Sequence, residues 1–421
     1  MPSSPGAIAF MSAAKVLIIA TFPIIEPRHG GQLRTRHIYE AYRKAGIEVD
    51  YVGFFPEGSY PRHATTDIVL PGTLGGRPLE ECEHVVYDHL WGLHIATTRQ
   101  ARDALLRVLR SKPYDFIQID HLYLWPLVRA CLAELGPQEH RPRIVHSAHN
   151  IEHAMKRQIL AQSGATEALV AQHGEDILAL EREITLEAEI VFAVTAADQA
   201  YLNELGQRED AVLAPNGTSP PDASPDAIET WKRALPREPF AVFVSSAHPP
   251  NAVGFFSVFS QSLAFLPPDR KLVIAGGVTS LLEKHREYRR WAGINDDRTL
   301  RLGIVDDAGI AALRRLGHVY ILPITAGGGS NIKTAEALLT GAYVIGTSTA
   351  FRGFEDFIGD PGVFVEDDPH AFRARLFELL HRERLAIGEA ELNHRRRLLW
   401  ESTLAPMPTH LLATFARHAH A

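Results

Sequence analysis

Cysteine is nearly absent: Cys82 and Cys131 are the only two in 421 residues. They form no C-x-x-C, which removes the simplest redox and zinc sites and leaves two reduced, buried thiols as the expectation. No apolar run reaches the roughly 20 residues of a membrane span. Neither sign of charge dominates, because the formal net charge is only -7. A dedicated nucleic-acid binder would carry a basic excess. There is no G-x-x-x-x-G-K-[ST], so a P-loop is excluded. There is no G-x-G-x-x-G after the first apolar run either. Ile24–Gly31 reads I-I-E-P-R-H-G-G instead, which disfavours a dinucleotide-binding oxidoreductase. H-E-x-x-H and D-x-D are missing too. The adjacent aspartates Asp296-Asp297, Asp306-Asp307 and Asp367-Asp368 fall in connecting segments and read as turn or helix-cap residues.

What the chain does contain is a strand, helix, strand alternation, repeated twice. Lys15–Thr21, K-V-L-I-I-A-T, has the continuous apolar character of a parallel strand buried on both faces. A loop with Gly30 and Gly31 follows, then a predicted helix over Leu33–Ala45 ended by Gly46, and a strand over Ile47–Phe55. Further strands are predicted at Tyr114–Ile119, Arg143–Ser147, Ile190–Thr195 and Ala211–Ala214. Residues 218–239 are rich in Pro, Ser, Asp and Ala and read as a linker. The alternation restarts at Phe240–Ser245 and runs to Gly362–Val365. The fold class is therefore α/β, with two Rossmann-like, doubly wound parallel-sheet domains facing a central cleft. The expected boundaries are a disordered lead-in at 1–14, an N-terminal domain at 15–217, the linker, a C-terminal domain at 240–388 and a closing helical segment at 389–421.

The most informative stretch is Thr325–Thr347, T-A-G-G-G-S-N-I-K-T-A-E-A-L-L-T-G-A-Y-V-I-G-T. Three glycines open it, a helix bearing Lys333 and Glu336 follows, and Gly341 turns it into the next strand. Glycines let main-chain N–H groups approach a ligand, and the helix start adds the positive end of its dipole. A diphosphate suits such a place, and Glu336, one turn further on, is positioned to accept hydrogen bonds from a ribose.

Several marks together resemble a GT-B glycosyltransferase, most similar to glycosyltransferase family 4. They are the Gly30-Gly31 pair, the stretch Val145–Glu152 (V-H-S-A-H-N-I-E), Val194–Leu202, Asn216-Gly217, Ser245–Gly254 (S-S-A-H-P-P-N-A-V-G) and the glycine block. Their order and spacing span nearly the whole chain. The resemblance implies a retaining, metal-independent transferase that needs no cofactor and takes a nucleoside diphosphate sugar as co-substrate. The acceptor would be a glycan or glycolipid, in the cytoplasm and in bacterial surface polysaccharide assembly.

Residue by residue, the resemblance implies that His149 lies near the donor sugar and Glu336 on the ribose. Gly30 and Gly31 would sit against the diphosphate or sugar. Gly327, Gly328, Gly329, Ser330 and Asn331 would give main-chain contacts to phosphate. Lys333 either neutralises phosphate or pairs across its helix, and Arg352 either reaches the cleft or is a solvated loop arginine. Two departures stand out. Gly328 occupies the place of the first glutamate of the family's E-x7-E, and Asn251 stands in the region where many members carry an Arg…Lys pair. Charge compensation must then come from Lys333, Arg352, Arg34 or helix-end amides. The departures motivate two alternatives, a GT-B nucleotide-sugar epimerase and a non-catalytic nucleotide- or glycan-binding protein. The run His394–Leu399, H-R-R-R-L-L, reads either as a solvated helix face or as a peripheral contact with the inner membrane.

Overall fold

The computed structural model describes residues 13–74 and 81–419; the lead-in expected at 1–14 lies almost wholly outside them. The N-terminal sheet holds β1 (Lys15–Ala20), β2 (Glu48–Pro56), β3 (Ile68–Leu70), β4 (Phe116–Ile119), β5 (Arg143–Ser147), β6 (Ile190–Ala193) and β7 (Val212–Leu213). The C-terminal sheet holds β8 (Ala241–Val244), β9 (Leu272–Ala275), β10 (Thr299–Gly303), β11 (Val319–Leu322), β12 (Tyr343–Gly346) and β13 (Val363–Val365). Their orders are β3-β2-β1-β4-β5-β6-β7 and β10-β9-β8-β11-β12-β13. The central pairings β1–β2, β1–β4, β8–β9 and β8–β11 are parallel. Strand order thus reverses between β1 and β4 in one half and between β8 and β11 in the other. Those are the points where doubly wound sheets leave a crevice for ligands.

The apolar runs follow from this architecture. In β1, Val16, Ile18 and Ala20 join the core on one face of the sheet, while Leu17 and Ile19 join the core on the other. Phe240 and Val242 likewise separate from Ala241 and Phe243. A strand covered on both faces has no polar side to alternate with. Cys131 is a buried free thiol, and burial pushes it up to about 12; it is a core side chain.

The segment read as a linker belongs largely to the C-terminal half. Its helix, Pro225–Ala234, lays Trp231 against Gly309, and Leu235 is buried with Phe240 and Val242. The closing segment crosses back, but later than its start. Helix Glu389–Arg395 stays on the C-terminal half, where buried Arg395 donates to the carbonyls of Leu338 (2.9 Å) and Pro361 (2.7 Å). Leu398 is in the C-terminal core. Trp400, Leu404, Met407 and Leu411 are in the N-terminal core with Val16 and Ile18. The arginine run is therefore no continuous basic face, since Arg395 and Leu398 both point inward. Among the described residues no helix is long and apolar enough to cross a membrane.

Both crossings lie side by side. Thr218 N–H donates to the Leu398 carbonyl (2.8 Å), and Trp400 N–H donates to the Thr218 carbonyl (3.1 Å). Gly217 lets them approach: a Cβ there would stand 2.6 Å from Thr403 Oγ1 and 2.9 Å from the Trp400 main chain. Gly217→Ala is expected to destabilise the chain by about 1–3 kcal/mol through overpacking. The urea midpoint should fall accordingly, and an unchanged midpoint would show that the crossing is loosely packed.

Candidate functional site

A cavity of about 1210 Å³ lies between the two halves. Of the residues expected from the sequence, Gly30, Gly31, His149, Ser330, Asn331, Lys333 and Glu336 line it; Asn251, Gly327, Gly328, Gly329 and Arg352 do not.

On the N-terminal wall, β1 runs into a loop and then into helix Gly30–Lys44. Gly30 and Gly31 are the first residues of that helix rather than part of the loop expected before it. His29 is its cap, accepting from Gln32 N–H through Nδ1. That role needs a neutral ring. Burial, together with the nearby His121, lowers the His29 pKa to about 4. A Cβ on Gly30 would come 3.3 Å from Ile332 Cδ1. Ile332 opens helix Ile332–Leu339 of the other half. The positive ends of two helices therefore meet at one place in the cavity.

Behind this wall sits Asp120, directly after β4 and fully buried. Its carboxylate accepts from the Thr35 hydroxyl, from Gln118 Nε2 (2.7 Å) and from His149 Nε2 (3.2 Å). Burial alone would raise the Asp120 pKa, but the bonds from His149 and Thr35 hold it down to about 2. An ionised carboxylate only accepts, so His149 carries its proton on Nε2, and the ring is fixed in tautomer and direction. Asp120 and Thr35 escaped the sequence reading. The available signal was an aspartate at the carboxyl end of a buried strand, where this topology collects functional groups.

On the C-terminal wall, the glycine block does something other than expected. Gly328 and Gly329 do not face the cavity; they pack on the N-terminal half. A Cβ on Gly328 would lie 2.9 Å from Asn150 Cβ, and one on Gly329 would collide with the His149 carbonyl oxygen. Gly329 also has φ +56, which favours glycine. A side chain at position 328 would require Asn150 to move, in keeping with the departure from E-x7-E. Arg352 braces the same loop, its Nε donating to the Gly329 carbonyl (2.6 Å). Asn216 Nδ2 donates to the Ser330 carbonyl (2.9 Å), and Arg34 Nη1 donates to Asn216 Oδ1 (3.2 Å). Arg34 and Arg352 are thus held by main-chain and amide oxygens.

Arg34 Nε and Ser245 Oγ, on residues of the lining, are nevertheless buried with no partner among the described residues. Ser330 Oγ and Asn331 Nδ2 are buried with no partner among the described residues, which in a cavity wall points to an absent ligand. Lys333 Nζ donates to Asn251 Oδ1 (2.8 Å), so Asn251 serves the site through the lysine. Burial lowers the Lys333 pKa to about 8, and Glu336 opposes that shift. Glu336 is paired with Arg314, a partner the sequence did not suggest. Gly276 and Gly277, after β9, and Val305, after β10, complete this wall.

Residues 29–220 match the model for Glycosyltransferase Family 4. No curated protein sequence matches the chain. Among solved structures it is similar to sucrose-phosphate synthase from Thermosynechococcus elongatus, with TM-score 0.67 and 16% identity over 96% of this chain and 100% of that one. HepE from Anabaena, in complex with UDP-glucose, gives TM-score 0.60 and 14% identity over 95% and 99%. The catalytic domain of starch synthase IV from Arabidopsis thaliana, bound to ADP and acarbose, gives TM-score 0.60 and 14% identity over 98% and 100%.

Asp120→Asn should be costly, because an amide cannot hold Thr35 and His149 as an ionised carboxylate does. A loss of about 1.5–3 kcal/mol is expected from replacing a charged acceptor by a neutral one. Chemical denaturation at pH 7 measures it; a loss below about 1 kcal/mol, no more than a typical neutral hydrogen bond contributes, would show that Asp120 does not organise the wall.

Proposed function

We propose that this chain, of the GT-B glycosyltransferase family 4 type, is a cytoplasmic, retaining glycosyltransferase. It moves a sugar from a nucleoside diphosphate sugar to a hydroxyl of a glycan or lipid-linked acceptor in bacterial surface polysaccharide assembly. The observation that carries the reading is the convergence of two helix starts, at Gly30 and Ile332, with half-buried Lys333 and the unpartnered Ser330 Oγ and Asn331 Nδ2. Positive helix ends, a lysine and free polar groups in one wall suit a diphosphate. The bound UDP-glucose of HepE and ADP of starch synthase IV support a nucleotide donor.

In the reaction, the bond from the anomeric carbon to the diphosphate oxygen breaks, and a bond to the acceptor oxygen forms. Negative charge grows on the leaving diphosphate. Lys333 and the helix-start amides oppose it, each such contact being worth a few kcal/mol. In retention by front-face displacement, the acceptor proton passes to the leaving phosphate oxygen. His149, held by Asp120, then orients the sugar, while Glu336 takes the ribose hydroxyls and Gly30 and Gly31 leave room for the donor. Since protein groups compensate the diphosphate, activity should survive EDTA.

One observation favours a second reading. A histidine fixed by a buried, ionised aspartate is the arrangement of a general base. His149 would then take the acceptor proton and the configuration would invert. The anomeric configuration of the product, read by NMR, separates the two.

Binding provides the first test. UDP, GDP or ADP should raise the melting temperature, and Glu336→Ala should remove most of that shift; no shift with any of the three would sink the proposal. Lys333 adds a pH dependence. Its ammonium loses its proton as pH rises through about 8 in the free protein, so nucleoside diphosphate affinity should be level below pH 8 and decline above it. Lys333→Met should weaken binding about 10- to 100-fold and flatten the profile. Calorimetry across pH 6.5–9.5 gives both, and a parallel decline in the variant would remove Lys333 from the phosphate site.

A further inference from the structure

The C-terminal half carries a second feature that the cleft does not use. Between helix Val278–Lys284 and helix Ala292–Arg298 the chain reads K-H-R-E-Y-R-R-W. Lys284, Arg286, Arg289 and Arg290 are exposed, and among the described residues none has an ion-pair or hydrogen-bond partner for its side chain. Trp291 follows them at 45% exposed, whereas Trp91, Trp125 and Trp400 are buried.

The surrounding acids do not cancel these cations. Glu283 and Asp296 are both taken by Arg301, at 3.4 and 2.8 Å, which leaves Glu287 alone against four positive groups. This happens in a chain of net charge -7, so the patch is no by-product of a basic composition. Apolar surface borders it. His285 stacks on Phe256 at 3.9 Å, and Val253, three residues earlier on helix Pro249–Phe259 and so on the same face, is 57% exposed. Other arginine-rich stretches are engaged internally: Arg102 pairs with Glu134, Arg110 with Glu139, and Arg395 is buried.

We propose that the Lys284–Trp291 face docks on a bilayer containing anionic phospholipid. The four cations would lie against lipid phosphates, and Trp291 would enter the headgroup layer. Clustered Lys and Arg beside an interfacial tryptophan is the chemistry of such a contact. A soluble polyanion matches the charges but gives the exposed Trp291 and Val253 nothing to bury against. The placement also relates to the cleft. Helix Val278–Lys284 starts beside Gly276 and Gly277 on the cavity wall and ends at Lys284, so one short helix of about 10 Å separates the cleft rim from the patch. An acceptor tethered to lipid would be held within reach.

The test is flotation of the full chain with vesicles of phosphatidylcholine alone or mixed with phosphatidylglycerol. Association is expected only with the anionic vesicles and should weaken with added salt. The double variant Arg289→Ser/Arg290→Ser should lower partitioning about 25-fold, at about fivefold per cation, with nucleotide binding and the urea midpoint unchanged. Quenching of tryptophan fluorescence by brominated lipid should fall in Trp291→Phe. Equal binding to neutral vesicles, partitioning unchanged in the double variant, or quenching unchanged in Trp291→Phe would overturn the proposal. So would capture by a soluble polyanion with no association to vesicles.

Discussion

The contact on which the site depends sets a glycine main chain of one half against the His149 carbonyl and the Asn150 side chain of the other. Gly328 and Gly329 of one half rest on His149 and Asn150 of the other, at a separation that admits no Cβ. Arg352 holds the loop from one side through the Gly329 carbonyl. Asn216 holds it from the other through the Ser330 carbonyl. The residues that follow at once, Ser330 to Lys333, form the cavity wall. Docking of the halves and shaping of the anion site are thus one event. A side chain at Gly329 would press on the His149 carbonyl and displace the wall with it.

Electrostatics in the cleft is simplified by burial. His29 is held near 4 and His146 near 3, so both are neutral at pH 7 and act as hydrogen-bonding groups. His121 is lowered by burial as well. Asp120 keeps its charge because donors surround it. The lysine, depressed to about 8, is partly prepared to bind: an arriving phosphate restores the stability of its charged form. A chain rich in histidine need not have a strongly cationic cleft.

Much of this was legible from the residues. Continuous apolar runs separated by amphipathic stretches specify a parallel α/β architecture, and twofold repetition specifies two halves. The strand positions follow, with ends displaced by one or two residues because strand pairing stops where the partner stops; the exception is three-residue β3 at the sheet edge, too short to give a pattern. The glycine block identified the right loop, and Lys333, Glu336 and His149 reach the cavity. What composition could not reveal was the direction in which the glycines face. Close approach to phosphate and close approach to a neighbouring main chain demand the same missing Cβ, and only the packed halves distinguish them. Asp120 and Arg314 were hidden for a related reason: each acts through a partner far away in sequence, at His149 and Glu336. The helix within 218–239 was read as a connection because its composition is polar, yet Trp231 and Leu235 anchor it to the C-terminal core.

The paired passages at Gly217-Thr218 and Leu398–Trp400 also govern how the halves can separate. Two strands of chain fastened to each other by main-chain hydrogen bonds act as a single pivot line. Sliding and twisting of one half over the other would tear that seam, whereas rotation about it leaves the seam whole. Such a seam permits the two halves to rotate about it, as covers turn on a spine, with its hydrogen bonds still made.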